Sequence, residues 1–264
     1  MLPSTILRQR IPGTVMHESK VVTHVSLIRD IPVINSTIDQ LLDHSQLLYA
    51  GALPVGTVEF VKEAMQVVGI EHPEAASYHP TICGFLNRNI VDSQLGYVLD
   101  HNKPMFVKPM ATKQFTGFVW RGADFDYDQT QEDPTGRLKA LTLPRNTPVW
   151  VSHPLEFLCE WRYYVLNGRV IGSARYDPDG LASAPSPDEK VVFDAAASMS
   201  TVFDGFSLDV GVVKSGETLV VEANDGWALG YYNEADCAVQ YVELLQARWN
   251  QMIKGEPSRL SLIA

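Results

Sequence analysis

Residues Ser207 to Asn224 read SLDVGVVKSGETLVVEAN. Two apolar, β-branched runs flank Lys214-Ser215-Gly216-Glu217, the composition of a tight turn between antiparallel strands. With Ser215-Gly216 at the tip, Val213 faces Thr218, and the same register carried outward sets Asp209 opposite Glu222. A four-residue loop gives the same pairing, and only a bulge alters it. Facing carboxylates on a ladder repel, whereas a bound cation reverses the sign of that interaction. Asn224, two residues beyond Glu222, points to the same face and adds a third hard oxygen. Oxygen-only ligation suits magnesium, which reaches proteins through one or two carboxylates together with substrate phosphates. Two readings stand at this point: an exposed hairpin with solvated, splayed carboxylates, or a magnesium–nucleotide site on Asp209, Glu222 and Asn224.

The rest of the chain is compatible with either. A chain of 264 residues buries a substantial core, as one large domain or as small lobes. The net charge of −10 argues against non-specific nucleic-acid binding, which needs a basic surface. No apolar run reaches the length of a membrane span, and MLPSTILRQRIPG lacks the apolar centre of a signal peptide. Cys83, Cys159 and Cys237 fit no metal spacing, and an odd count without a signal peptide predicts reduced thiols and a cytoplasmic setting.

Along the chain, residues from about 20 to 35 read as short strands, VVTHVSLI and DIPVIN. Thr37 to Tyr49 reads as a helix with Ser36 as N-cap and Asp39 in its first turn. Thr57 to Val68 reads as a second helix, closed by Gly69. The lone histidines His17, His24, His44, His72 and His79 have no ligand spacing. After about Asp100, PMFVKP forms a short strand carrying Lys108, and FTGFVWR another, with Lys113 in the loop between them. Asp124, Asp126 and Asp128 match the start of a calcium loop, but Gln129 stands where that loop needs glycine and Thr135 where it needs glutamate, so calcium is rejected. Leu138 to Ser152 is strand-like and ends in Val149-Trp150-Val151.

Residues Glu160 to Tyr176, EWRYYVLNGRVIGSARY, form a hairpin with an Asn-Gly tip. The simplest register pairs Leu166 with Arg169, Tyr164 with Ile171 and Glu160 with Arg175. Glu160, Arg162 and Arg175 then share one face, and Trp161, Tyr163, Val165, Val170 and Ala174 the other, the predicted core face. A solvated ion-paired face of little energetic value is the competing reading of the charged side. Tyr176 to Glu189 reads as a loop, Val191 to Val202 as a helix, and Glu234 to Ile253 as a helix with an apolar stripe of Ala238, Tyr241, Val242, Leu245 and Trp249.

A magnesium–nucleotide site also needs cations for the phosphates. The chain has neither G-x-x-x-x-G-K-[ST] nor G-x-G-x-x-G, which leaves Lys108 and Lys113. The order of strand lysine, loop lysine, charged hairpin, Asp-bearing hairpin and E-x-N resembles the ATP-grasp superfamily. The likeness rests on FVKPMATKQFTGFV, EWRYYVLNGRVIGSARY and LDVGVVKSGETLVVEANDGWALGYYN, and is strongest to the divergent RimK-related proteins of bacteria and phages. It covers about residues 100 to 235.

The resemblance implies an α+β ATP-grasp fold: two α+β lobes sandwich the nucleotide, preceded by a small α/β pre-ATP-grasp lobe. The implied division is 1–100 for the leading lobe, 101–152 for the first ATP-grasp lobe and 153–264 for the second, which holds the metal site. It implies ATP and Mg2+ as cofactors. By position Lys108 and Lys113 contact phosphates, and Trp150, Val151 and Ser152 form the adenine hinge. Asp209, Glu222 and Asn224 hold magnesium, and Arg162 reaches the γ-phosphate or acyl phosphate. Arg175 meets the acceptor's carboxylate, and Glu160 orients an arginine or touches the ribose. Lys113, Arg162 and Arg175 are then the catalytic set. The first ATP-grasp lobe is shorter, and the lysine loop poorer in glycine, than in many members. The activity implied is ATP-dependent carboxylate–amine (or thiol) ligation through an acyl phosphate, releasing ADP and phosphate, on a small-molecule, peptide or protein acceptor, without nucleic acid or membrane. A phosphotransferase, or an ATP-binding assembly or regulatory factor, are the alternatives on the same scaffold.

Overall fold

A computed structural model describes residues 1–14, 16–130, 132–177, 183–232 and 235–255. In chain order its elements are β1 (Ile6–Gln9), α1 (His17–Arg29), β2 (Val33–Ser36), α2 (Ser45–Tyr49), β3 (Leu53–Val55), α3 (Val58–Val67), α4 (Cys83–Leu86), β4 (Val91–Gln94), α5 (Leu95–Leu99), β5 (Met105–Pro109), β6 (Phe118–Trp120), α6 (Thr135–Leu141), β7 (Pro148–Ser152), β8 (Phe157–Leu166), β9 (Arg169–Arg175), α7 (Glu189–Met199), β10 (Gly205–Val213), β11 (Thr218–Asp225) and α8 (Ala238–Ile253). Mixed helices and sheets give the α+β class expected. The chain divides into two compact units: Met1–Phe85 together with the chain from Leu158 onward, and Leu86–Phe157.

The first unit holds two sheets. A parallel sheet of order β2-β1-β3 pairs Ile6 with both Val33 and Leu53. A four-stranded sheet of order β11-β10-β8-β9 carries both hairpins. One core joins them: Ile6, Leu7, Leu48 and Phe60 belong to the same buried cluster as Tyr164, Trp227, Tyr241 and Trp249. On α8, Tyr241, Val242, Leu245 and Trp249 are buried, so the predicted stripe is the core face of that helix. Glu234, its expected start, lies outside the described residues. The helix expected from Val191 is α7, which begins two residues earlier behind an Asp188 cap.

Two expectations for the leading residues are corrected. VVTHVSLI lies in helix α1, not in a strand. Its β-branched residues favour strands weakly, but Val22, Val25 and Ser26 repeat at helical spacing and are buried, and tertiary burial outweighs propensity. The stretch from Thr37 to Tyr49 is not one helix but two 3-10 turns, Ile38–Gln40 and Leu42–His44, followed by α2. Thr37, not Ser36, is the cap, in a capping box with Gln40. The helix predicted from Thr57 is α3, with the Thr57 hydroxyl accepting from Phe60 N–H at 3.2 Å and Gly69 at φ 73° beyond its end.

The second unit is a four-stranded antiparallel sheet, order β4-β7-β5-β6. Val107, Val149 and Val151 are buried against Leu95, Val98, Phe118 and Ala140. The strand-like reading from Leu138 fails at its start, because Thr135–Leu141 is helix α6. Asp126 caps the turn Tyr127–Gln129, accepting from Asp128 N–H and the Gln129 amide, so this acidic group serves the loop itself.

Candidate nucleotide and metal site

In the β10–β11 hairpin Asp209 faces Glu222 and Ser207 faces Asn224. The route to that register differs from the simple one. Val213 N–H donates to Glu217 O, Gly216 N–H donates to Val213 O, and Gly216 stands at φ 88°. The tip is therefore shifted by one residue from the simple loop, and Val212 rather than Val213 opposes Thr218. A register break between Asp209 and Val210 leaves Val221 as the extra residue and restores the Asp209–Glu222 pair.

Asp209 is 1% exposed. Its carboxylate accepts from Arg162 on β8 through Nε and Nη2, both at 2.7 Å, and from Asn224 Nδ2 at 3.1 Å. Arg162 also lies 5.6 Å from the centroid of Tyr176 and 5.3 Å from that of Tyr232, two rings stacked 5.6 Å apart. Burial opposes the charge on Arg162, but the Asp209 carboxylate and its hydrogen bonds outweigh it and raise the guanidinium pKa. Tyr176 donates its hydroxyl to Glu160 Oε2 at 2.5 Å. Burial, then the neighbouring Asp209 and Glu160 charges, push that phenol upward, so it stays a donor. The Tyr164 hydroxyl, on a fully buried residue, donates to Gly230 O at 3.1 Å and accepts from Tyr232 N–H at 2.8 Å, which fixes the loop after the hairpin.

Arg175 does not join that face. A register break at Tyr164/Val165 pairs Trp161 with Arg175 and Arg162 with Ala174, so Ile171 is the extra residue and every pair beyond it moves by one. Arg175 lies on the opposite face from Arg162, bound to Asp177 at 2.7 and 3.0 Å. Tyr176 stands beside Glu160 in its place. Of the predicted core face, Val165 and Ala174 are buried, but Trp161 and Tyr163 are only half-buried, and Tyr164, from the face expected to carry the charges, is fully buried. The Asn167-Gly168 tip is as expected, both residues having positive φ.

Within the second unit, Lys108 pairs with Trp150 across β5–β7, and Asp92 pairs with Trp150 across β4–β7. The three side chains form a row on the face opposite Val107, Val149 and Val151. Val151 is buried, and Ser152 donates its hydroxyl to His153 O at 3.0 Å. Lys113 is exposed, in a left-handed conformation, φ 57°.

Sequence reasoning missed the supports of the site. Asp225, directly after Asn224, receives Arg248 of α8 through Nε at 2.7 Å and Nη2 at 2.8 Å, with both side chains over nine-tenths buried. Asp225 also accepts from Trp227 N–H, and Arg248 lies 4.6 Å from the Phe203 ring. An arginine beside an apolar helical stripe was the available signal. Tyr176 was hidden by the bulge, and Tyr232 sits in GYYN beyond the motif.

The donor set fits magnesium in kind. Asp209 and Glu222 supply carboxylate oxygens and Asn224 an amide oxygen on one face. Asn224 presents its nitrogen to Asp209 and would rotate to ligate. Among the described residues no group of three or more His, Cys, Asp or Glu is suited to a metal, so the set stands on the amide as its third member. No helix among them is long and apolar enough to cross a membrane.

The fold is that of the ATP-grasp superfamily of ATP-dependent ligases. Residues 85–242 match the model of an ATP-grasp domain, the second family of a divergent RimK-related clade, and the chain belongs to that family. Among solved structures it is similar to D-cycloserine synthetase DcsG (12% identity, TM-score 0.56, covering 93% of this chain and 99% of that one). It is also similar to D-alanine–D-alanine ligase from Bacillus anthracis complexed with ATP (13%, 0.55, 96% and 100%). A third is a RimK-domain ATP-grasp protein from Sphaerobacter thermophilus (10%, 0.53, 91% and 99%). At these identities the likeness is one of fold. No curated protein matches the sequence.

Proposed function

We propose that this protein is an ATP-dependent carboxylate–amine (or thiol) ligase that works through an acyl phosphate and releases ADP and phosphate. The observation that carries the reading is the Asp209–Glu222 pair with Asn224 on its face and Arg162 bound to Asp209. In this reading Asp209, Glu222 and Asn224 hold Mg2+, which when bound neutralises the triphosphate. Lys108 and Lys113 meet phosphates, and the backbone of Trp150, Val151 and Ser152 meets adenine. Arg162 supplies charge to the transferring phosphoryl group, and Glu160, tied to Tyr176, fixes the ring beside it. Arg175 is left out of the set, because it faces away from Arg162. The functional division 1–100, 101–152 and 153–264 belongs to the same proposal.

The physical task is to bring an anionic carboxylate to an anionic phosphate. At about 4 Å the repulsion is about 4 kcal/mol per charge pair at a surface-like dielectric. Preplaced cations offset it and stabilise charge that moves during transfer. Lys113 does so from a loop, whereas Arg162 does so from a fixed, largely buried seat.

The test is Mg2+-dependent ADP release over a panel of amino acids, short peptides and amines, with Asp209→Asn as blank. The reading predicts turnover in the parent and none in the variant, with the fold of the variant retained by circular dichroism. Undiminished turnover in Asp209→Asn refutes the metal assignment. Mass spectrometry of the product decides between a new amide and a phosphorylated acceptor, the outcome of a phosphotransferase.

A further inference from the structure

Ser207 of β10 stands directly across from Asn224 of β11, two residues before Asp209 and on the same face. Directly opposed residues on an antiparallel pair have Cβ atoms about 4.5–5.5 Å apart, within reach of an amide and a hydroxyl. Ser207 is fully buried, and its hydroxyl has no hydrogen-bond partner among the described residues. It is the only buried hydroxyl in that condition among them. Ser26, Ser36 and Ser152 are also buried, and each donates to a backbone carbonyl close by in the chain, at 2.7, 2.9 and 3.0 Å. Ser207 has no such outlet, because β10 is an inner strand whose carbonyls point into ladders with β11 on one side and β8 on the other. An unpaired buried hydroxyl costs folding free energy that alanine would avoid. In the ion-free protein this oxygen therefore stabilises nothing.

Asn224 supplies the counterpart. Its Nδ2 donates to Asp209 Oδ2 at 3.1 Å, an oxygen that also accepts from Arg162 Nη2 at 2.7 Å. In that pose the amide turns its nitrogen, not its oxygen, to the carboxylate. An amide that turns its oxygen to a cation carries its two N–H donors away from that cation, since oxygen and nitrogen lie on opposite sides of the amide carbon. Those donors then need an acceptor. Ser207 Oγ is the unclaimed one, directly across the ladder. We propose that Ser207 is a positioning residue for the metal: Asn224 Nδ2 moves from Asp209 to Ser207 Oγ as Asn224 Oδ1 turns to Mg2+. This rests on the assignment of Asp209, Glu222 and Asn224 to Mg2+. The hydroxyl holds the amide in the orientation that ligates, and one hydrogen bond is exchanged for another rather than lost. Partners that bond to a metal's ligands in this way fix their orientation and tune affinity.

The test compares the full-length parent with Ser207→Ala, Asn224→Ala and the double variant. Two quantities are read: Tm in EDTA, by differential scanning fluorimetry, and the factor by which saturating Mg2+ tightens ADP relative to EDTA, by calorimetric titration. In EDTA, Ser207→Ala is expected to melt at or above the parent, by up to about 4 °C, because an unpaired buried hydroxyl is gone. The same variant is expected to lose about tenfold of the Mg2+ factor. A residue that served packing alone would not give these opposite signs. In the Asn224→Ala background, Ser207→Ala is expected to change the factor by less than about twofold, because the amide through which it acts is absent. Three results would each overturn the inference and leave the metal assignment standing. They are a Mg2+ factor in Ser207→Ala within about threefold of the parent's, a Tm in EDTA below the parent's, or a further loss of about tenfold on top of Asn224→Ala. If the parent binds ADP equally well in Mg2+ and in EDTA, the metal assignment falls first and takes the inference with it.

Discussion

Replacing Arg162 by methionine isolates the most consequential contact in the site. The substitution removes both 2.7 Å bonds to Asp209 and leaves a 1% exposed carboxylate with Asn224 as its remaining donor among the described residues. Breaking a buried ion pair by removing one partner costs about 3–5 kcal/mol. The Arg162 side chain is 13% exposed, so water reaches the vacated space, and Asn224 remains; both favour the lower end, about 3 kcal/mol. For a chain of this size that is a fall in Tm of roughly 6–12 °C. A divalent cation should act in the opposite sense. In the parent, Arg162 occupies both Asp209 oxygens, and Mg2+ must compete with it. In Arg162→Met the pair of Asp209 and Glu222 is open to the ion, and Mg2+ at about ten times its Kd restores ~1.4 kcal/mol, roughly 3–6 °C. Differential scanning fluorimetry of both proteins, without nucleotide and with or without MgCl2, reads both effects. A parent shifted by Mg2+ as much as the variant, or a variant melting within about a degree of the parent, would refute the view that Arg162 and a cation compete for Asp209.

Tyr164→Phe removes a buried hydroxyl that bridges Gly230 O and Tyr232 N–H, and is expected to cost about 1–3 kcal/mol in urea unfolding while leaving ADP affinity intact. Gly172→Ala would bring a methyl to 2.6 Å from Cys237 Sγ and 2.7 Å from Ala235 O; a loss of about 1–3 kcal/mol is expected, and a neutral variant would mean the strand yields freely. His79 is buried, and burial holds its pKa below the ordinary 6.5, partly offset by Glu74. The unfolded chain then binds the proton more readily. Its contribution is intact above about pH 6.5 and declines below it, by at most about 1.4 kcal/mol per pH unit. Urea midpoints at about pH 7.5 and 5.5 should differ more in the parent than in His79→Gln; equal differences would remove His79 from the acid response.

Much of the site could be read from residues alone because strand alternation is strict. The facing of Asp209 and Glu222, the shared face of Asn224, the Asn-Gly tip and α8 all follow from period and turn chemistry. What was not legible depended on irregularities with no residue signature. One extra residue, Ile171, moved Arg175 off the charged face and put Tyr176 there. Another, Val221, cancelled a shifted turn, so the right pair was reached through a wrong tip. Helix α1 was misread because Val21, Val22 and Val25 look like a strand until the core that covers them is known.

The unit that begins at Met1 is finished by residues after Leu158. Ile6, Leu7, Leu48 and Phe60 share their buried cluster with Tyr241 and Trp249 of the last helix. On a ribosome adding about 5–20 residues each second, the opening strands wait on the order of ten to forty seconds for that cover. Meanwhile Leu86–Phe157, whose core is its own, emerges whole and is free to fold first. Assembly of this protein is therefore expected to run from the middle outward, and a nascent chain halted before Ala238 to leave Ile6, Leu7 and Phe60 without part of their cover.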